Sequence, residues 1–94
     1  MTGKAVSVER ELTVKNREGL HFRPIMQLVE VSNKYTASIA VECDGRRADG
    51  RSPMELLMLV ATAGSKLRVV VDGDDAEKLL DEWAGLFDSG FGET

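Results

Sequence analysis

Asn16-Arg17-Glu18-Gly19-Leu20-His21-Phe22-Arg23-Pro24-Ile25-Met26 is where this chain changes its period. Before it, Val6 to Lys15 alternates with period two. Val6, Val8, Leu12 and Val14 face one way, with Arg10 the single exception, as in a half-buried strand. Asn16 to Gly19 reads as a turn. From Phe22 onward, Phe22, Ile25, Met26, Val29 and Ser32 fall on one helical face, and Leu28 widens the stripe. Pro24 is tolerated only in a first helical turn, where its missing N–H has no helical partner. Proline therefore fixes the helix start close to His21, and the helix is expected to end near Asn33 or Lys34.

The pattern repeats downstream. Ala37 to Cys43 alternates with Ala37, Ile39, Val41 and Cys43 inward, and Asp44-Gly45 is a hairpin turn signal leading into a short return strand, Arg46 to Gly50. Ser52-Pro53-Met54-Glu55 opens a second helix with a capping-box pattern. Leu56 to Ala61 is apolar on nearly every side, and Gly64 is the expected terminator. Lys66 to Asp72 forms a strand with Leu67, Val69 and Val71 inward. Asp74 and Glu77 repeat the cap-and-third-residue arrangement before a last helix with Ala76, Leu79, Leu80, Trp83 and Phe87 on one face. Ser89 to Thr94, short and glycine-containing, reads as a frayed tail. The order β-α-β-β-α-β-α implies an α+β fold: a four-stranded, mostly antiparallel sheet with three helices on one face.

With 94 residues, 43% of them hydrophobic, residues 1–94 read as one small domain with little room for a deep cavity, so function is expected at the surface. A net charge of −4 without a basic stripe argues against nucleic acid. The lone Cys43 excludes an intramolecular disulfide and a thiolate metal cluster, and reads as a small core residue. Met1 to Ser7 has no apolar segment of signal-peptide length, and no run of 18 apolar residues occurs. A reduced, cytoplasmic setting without membrane insertion is expected. No metal-ligand spacing, paired carboxylate near His21 or P-loop glycine pattern points to an enzyme, a metal or a cofactor.

His21 is the only histidine. A helix start offers free N–H groups and a positive dipole end for an anion, and imidazole, with an unperturbed pKa of about 6.5, is nucleophilic near neutral pH. Arg23 adds a planar fork suited to phosphate oxygens. Equally, the placement suits a capping or plain surface histidine.

The string Asn16 to Pro24 resembles the active-site motif of HPr, the histidine-containing phosphocarrier family of the phosphoenolpyruvate-dependent sugar phosphotransferase system. Arg51-Ser52-Pro53-Met54 resembles the family's regulatory-serine segment, and the likeness covers roughly residues 6 to 88. It implies an open-faced β-sandwich. It also implies phosphoryl transfer from enzyme I to Nδ1 of His21 and on to an enzyme IIA-type acceptor, with Arg23 stabilising the phosphate. Ser52 is the regulatory phosphorylation candidate for an HPr kinase, although Pro53 and Glu55 depart from the family pattern, and a phosphoserine would be repelled by Glu55. Its nearer role is a helix cap. The partner-docking positions the resemblance implies are Phe22, Ile25, Met26, Arg51, Met54 and Leu57, with Met26 and Leu57 expected to be partly buried. Phe22 stands where alanine or threonine is common. Glu30 and Asn33 stand on the first helix where several relatives carry lysines. The alternatives are a regulatory HPr-like protein, nitrogen-related or otherwise sugar-independent, and a ferredoxin-like binding module in which His21 only caps a helix.

Overall fold

In the computed structural model, which describes residues 7–93, the change of period becomes the passage from strand β1 (Ser7–Thr13) to helix α1 (Phe22–Ser32). The chain continues through β2 (Ser38–Cys43), β3 (Arg46–Asp49), α2 (Pro53–Met58), β4 (Lys66–Asp72) and α3 (Ala76–Asp88), then a 3-10 turn at Gly90–Gly92. Val6, placed in the first strand by its pattern, lies outside the described residues. The sheet order is β1-β4-β2-β3, and every pairing is antiparallel, tightening the mostly antiparallel expectation.

One sheet face carries all three helices. Leu12, Ile39, Val41, Ala48, Leu67, Val69 and Val71 are buried on it, packed against Ile25, Leu28, Leu56, Leu79, Leu80, Trp83 and Phe87. Burying a side chain of this size contributes about 1.5–3 kcal/mol. The opposite face is polar, with Arg68 bridging Glu9 on β1 (2.6 Å) and Glu42 on β2 (3.0 Å). Arg10, the odd residue of its strand, pairs with Asp81 on α3 at 3.3 Å, at the sheet edge where its head stays in water. Asp44 and Gly45 both take positive φ (51° and 81°), the two-residue hairpin geometry that their sequence demands.

Three local expectations are corrected. First, α2 ends at Met58 rather than near Gly64, because Val60 turns left-handed (φ 52°) and Ala61 leaves the helix to accept a hydrogen bond from Leu20 N at 2.9 Å. Second, the cap of α3 is Asp75, not Asp74. Its side chain makes no cap bond and instead accepts from Thr36 N and Ala37 N, both at 3.0 Å, tying the start of α3 to the entry of β2. Third, Ser89–Glu93 is not frayed: Phe91 is buried against Phe87, with ring centroids 5.0 Å apart. Thr94 lies outside the described residues.

Hydrogen bonds from the Thr36 and Ala37 amides hold Asp75 below the usual carboxylate range against the opposing effect of burial. Those from Lys34 and Tyr35 do the same for Glu82. A depressed carboxylate binds its proton later than in the unfolded chain, so the stability it adds is present above its ordinary pKa, near 4, and is lost as pH falls through the folded value. The urea midpoint is therefore expected to fall steadily below about pH 4. In Asp75→Asn it should start lower at neutral pH and fall less on acidification; an equally steep acid limb in that variant would exclude Asp75 as a source.

Candidate functional site

The site is built by the turn that separates β1 from α1. Gly19 takes φ 74°, and a Cβ there would meet the Ala61 carbonyl oxygen at 2.6 Å, so glycine is needed for both conformation and contact. The buried Leu20 and its hydrogen bond to Ala61 O stitch the turn to the segment after α2. Pro24 occupies the third position of α1, and His21 is the N-cap with an extended backbone (φ −86°, ψ −171°). Its imidazole makes no cap hydrogen bond, which removes the helix cap as the side chain's role. The ring is instead partly exposed and opens onto a cleft of about 420 Å³ lined by Arg17, Glu18, His21, Arg23, Gly92 and Glu93.

Two arginines thus face the histidine, Arg23 as expected and Arg17 from the turn. The amides of Phe22 and Arg23, the first two helical residues, have no carbonyl one turn back to bond, leaving the N-terminal end of α1 electropositive beside the ring.

One group was missed from sequence. Glu93 Oε2 lies 2.8 Å from His21 Nε2, and Oε1 accepts from Asn16 Nδ2 at 3.0 Å. Burial pushes the Glu93 carboxyl up, but the hydrogen bonds from Asn16 and His21 and the charges of His21 and Arg23 together hold it below the usual range. The only advance signal was Gly90-Phe91-Gly92, an aromatic residue between two glycines at the end of the chain. Gly90, Phe91 and Gly92 all take positive φ (63°, 59° and 73°). For Phe91 that conformation costs roughly 1–2 kcal/mol, offset by burial of its ring.

Ser52 is the N-cap of α2, accepting from Glu55 N at 3.2 Å, a contact of about 1 kcal/mol. The reciprocal half of the capping box is absent, because the Glu55 carboxylate accepts from Asp49 N at 2.9 Å. The docking positions divide. Phe22 and Met54 are 68% and 69% exposed and Leu57 about half, Met26 is half-buried, and Met58 and Val60 add to the exposed apolar surface. Ile25 is corrected: it is 1% exposed, because the inward stripe centres on Ile25, Leu28, Val29 and Ser32 and leaves Phe22 outside.

Arg51 is corrected too. Its guanidinium is not a free rim charge but donates to the carbonyls of Ser32 (2.6 Å), Tyr35 (2.7 Å) and Ala37 (2.5 Å), closing the C-terminal end of α1. Arg51→Ala is expected to cost about 2–3 kcal/mol, since three carbonyls lose a charged donor. Arg51→Lys should recover only part of this, lacking the fork. Denaturant midpoints check it; a fully stable Arg51→Ala that transfers phosphate poorly would return Arg51 to the docking surface.

Among the described residues, no group of three or more His, Cys, Asp or Glu could hold a metal ion, and no helix is long and apolar enough to cross a membrane.

A family model for the PTS HPr component phosphorylation site matches residues 8–89. The phosphocarrier protein HPr of Xylella fastidiosa is 34% identical over 86 residues, covering 92% of this chain and 97% of that protein. The phosphocarrier protein NPr of Proteus mirabilis is 33% identical over 85 residues, covering 89% and 94%. Among solved structures, an HPr from Thermoanaerobacter tengcongensis superposes with a TM-score of 0.88 at 31% identity, over 93% of this chain and 98% of that one. With the matched segment running from the first strand through the last helix, and an open-faced sheet of the same build, this chain belongs to the HPr family of phosphotransferase-system phosphocarriers.

Proposed function

We propose that His21 accepts a phosphoryl group on Nδ1 from a phosphorylated enzyme I and relays it to an enzyme IIA-type protein. The observation that carries this reading is the state of the imidazole: it sits at the N-terminus of α1 without capping it, engaged among the described residues through Nε2 alone, in a cleft shared with Arg17 and Arg23. Phosphoryl transfer asks a protein for positioning and charge stabilisation more than for covalent chemistry of its own. The Nδ1 lone pair attacks phosphorus, the donor's phosphorus–nitrogen bond breaks, and its electron pair stays on the donor. Arg23 and Arg17 offset the dianion from the side, and the helix end adds a modest ~0.3–1 kcal/mol, weak enough for the group to leave again. In this reading the donor is another protein's phosphohistidine, and the chain serves as a substrate of other proteins' chemistry.

Incubation with phosphoenolpyruvate and enzyme I should add one acid-labile, alkali-stable phosphoryl group, mapped to His21 by fragmentation mass spectrometry. No uptake from several enzymes I, or uptake elsewhere, would sink the reading.

A regulatory role is favoured by the large exposed Phe22 beside the acceptor, which narrows the partners that fit, and by Glu30 in place of a basic residue on α1. Rim charge and shape act mainly on association rate and partner choice. Ser52 acts first as a cap in this reading. Efficient phosphorylation of Ser52 by an HPr kinase would reverse that order.

A further inference from the structure

The cleft contains one charged group that lies outside both motifs, the Glu93 carboxylate, and the fold spends several contacts to bring it there. The end of the chain forms a hook. Gly92 N and Glu93 N donate to the carbonyls of Ser89 and Gly90, and Gln27 Nε2 donates to the Phe91 carbonyl at 3.4 Å. The Phe91 ring, 2% exposed, packs edge-on against Phe87. The hook returns the backbone to the turn before α1, where Asn16 Nδ2 links Glu93 Oε1 to the Gly19 carbonyl.

An ionised carboxylate only accepts hydrogen bonds, so the proton between Glu93 Oε2 and His21 Nε2 belongs to the ring. In a neutral imidazole the lone pair is then on Nδ1. Among the described residues, no hydrogen bond engages Nδ1. The other charged groups facing the ring are Arg17 and Glu18 from the turn and Arg23 from α1, and none of them bonds a ring nitrogen.

We propose that Glu93 is a positioning residue for phosphoryl acceptance: it fixes the Nε2–H tautomer of His21 and the plane of its ring, so that Nδ1 presents its lone pair to the incoming phosphorus. This rests on the reading of His21 as the acceptor. While the Nδ1–P bond forms and the donor's P–N bond breaks, the proton stays on Nε2. The ring becomes cationic, and Glu93 is the counter-charge on the side away from the phosphate. The same charge steadies the ring until the phosphoryl group departs with Nδ1 as leaving atom.

The test uses the full chain with Glu93→Ala and Glu93→Gln. Long-range proton–nitrogen correlation spectra of the unphosphorylated protein report which ring nitrogen is protonated, and stopped-time labelling from phosphorylated enzyme I reports the rate. Wild type should show a protonated Nε2 and a bare Nδ1. Glu93→Ala should mix the tautomers and slow acceptance about tenfold, the lower end for loss of a charged hydrogen bond at a partly exposed site. Glu93→Gln should keep the tautomer through its amide oxygen yet remain slower than wild type, because the counter-charge is gone. A wild type that takes up no phosphate overturns the acceptor reading and the positioning role with it. Normal uptake in wild type, with an unchanged ring spectrum or an undiminished rate in Glu93→Ala, overturns the positioning role alone.

Discussion

Replacing His21 with alanine is expected to abolish phosphoryl uptake while leaving the fold standing. The loss should be complete because no second imidazole exists in the chain. The other groups lining the cleft are guanidiniums, which stay protonated and are not nucleophiles, and the carboxylates of Glu18 and Glu93. A carboxylate could only form an acyl phosphate, which alkali hydrolyses, and it is thereby told from the alkali-stable phosphorus–nitrogen bond. The fold should survive because the imidazole caps nothing and its side chain is 36% exposed. Surface changes of that kind usually stay within about 0.5 kcal/mol. Labelling and a urea titration on the same preparation check both halves. Residual acid-labile phosphate on His21→Ala would move the acceptor elsewhere. An unfolded His21→Ala would make the histidine structural, and His21→Gln, which retains a polar side chain of similar reach, would then separate chemistry from folding.

What the chain reveals in advance, and what it hides, divides along the range of the interactions. Each of the four strands and three α-helices was legible, because these elements declare themselves through local period, whereas the 3-10 turn at Gly90–Gly92 was not. The inward residues of β2 and β4 follow alternation without exception. Pro24 placed the start of α1 within a residue, since its missing N–H is a purely local constraint. The misses come from contacts between segments far apart in sequence. Nothing between Leu56 and Ala61 breaks a helix, and α2 stops because Leu20, about forty residues earlier, takes the Ala61 carbonyl. Arg51 looks like an ordinary basic residue before a cap until the carbonyls at the end of α1 converge on it. Asp75 displaces Asp74 because the amides of Thr36 and Ala37 come within reach. Of the groups that line the cleft, His21 and Arg23 stand out within one contiguous string, Asn16 to Pro24, and Arg17 lies in that string without a role that the sequence assigns. Glu93 was not, because a carboxylate near the chain end becomes a partner of His21 only once Phe91 finds its slot beside Phe87.

Trp83→Ala is expected to cost about 3–5 kcal/mol of stability, the top of the range for truncating a buried side chain. Trp83 is fully buried, stacks on Phe87 with ring centroids 6.2 Å apart, and donates from Nε1 to Ser32 Oγ at 3.0 Å. Ser32, also fully buried, passes its own proton to Leu28 O at 2.9 Å. Truncation therefore opens a cavity and strips a partner from a buried hydroxyl. In a domain of this size each kcal/mol lowers the melting temperature by roughly 4–8 °C, so a drop of at least about 12 °C is expected. Trp83→Phe separates the two contributions: it keeps an aromatic ring and loses the donor, for about 2 kcal/mol. Gly50 supplies an independent check on the packing. A Cβ there would stand 2.6 Å from Ile39 Cγ2 and 3.1 Å from Trp83 Cη2, so Gly50→Ala should cost about 1–3 kcal/mol through crowding. Trp83→Phe removes the Cη2 atom and gives Ile39 room to shift. The double variant should then be more stable than the sum of the singles by about 1 kcal/mol. Strict additivity would mean that Gly50 is crowded by Ile39 alone, and that the indole is held by its hydrogen bond and by Phe87 rather than by the turn after β3.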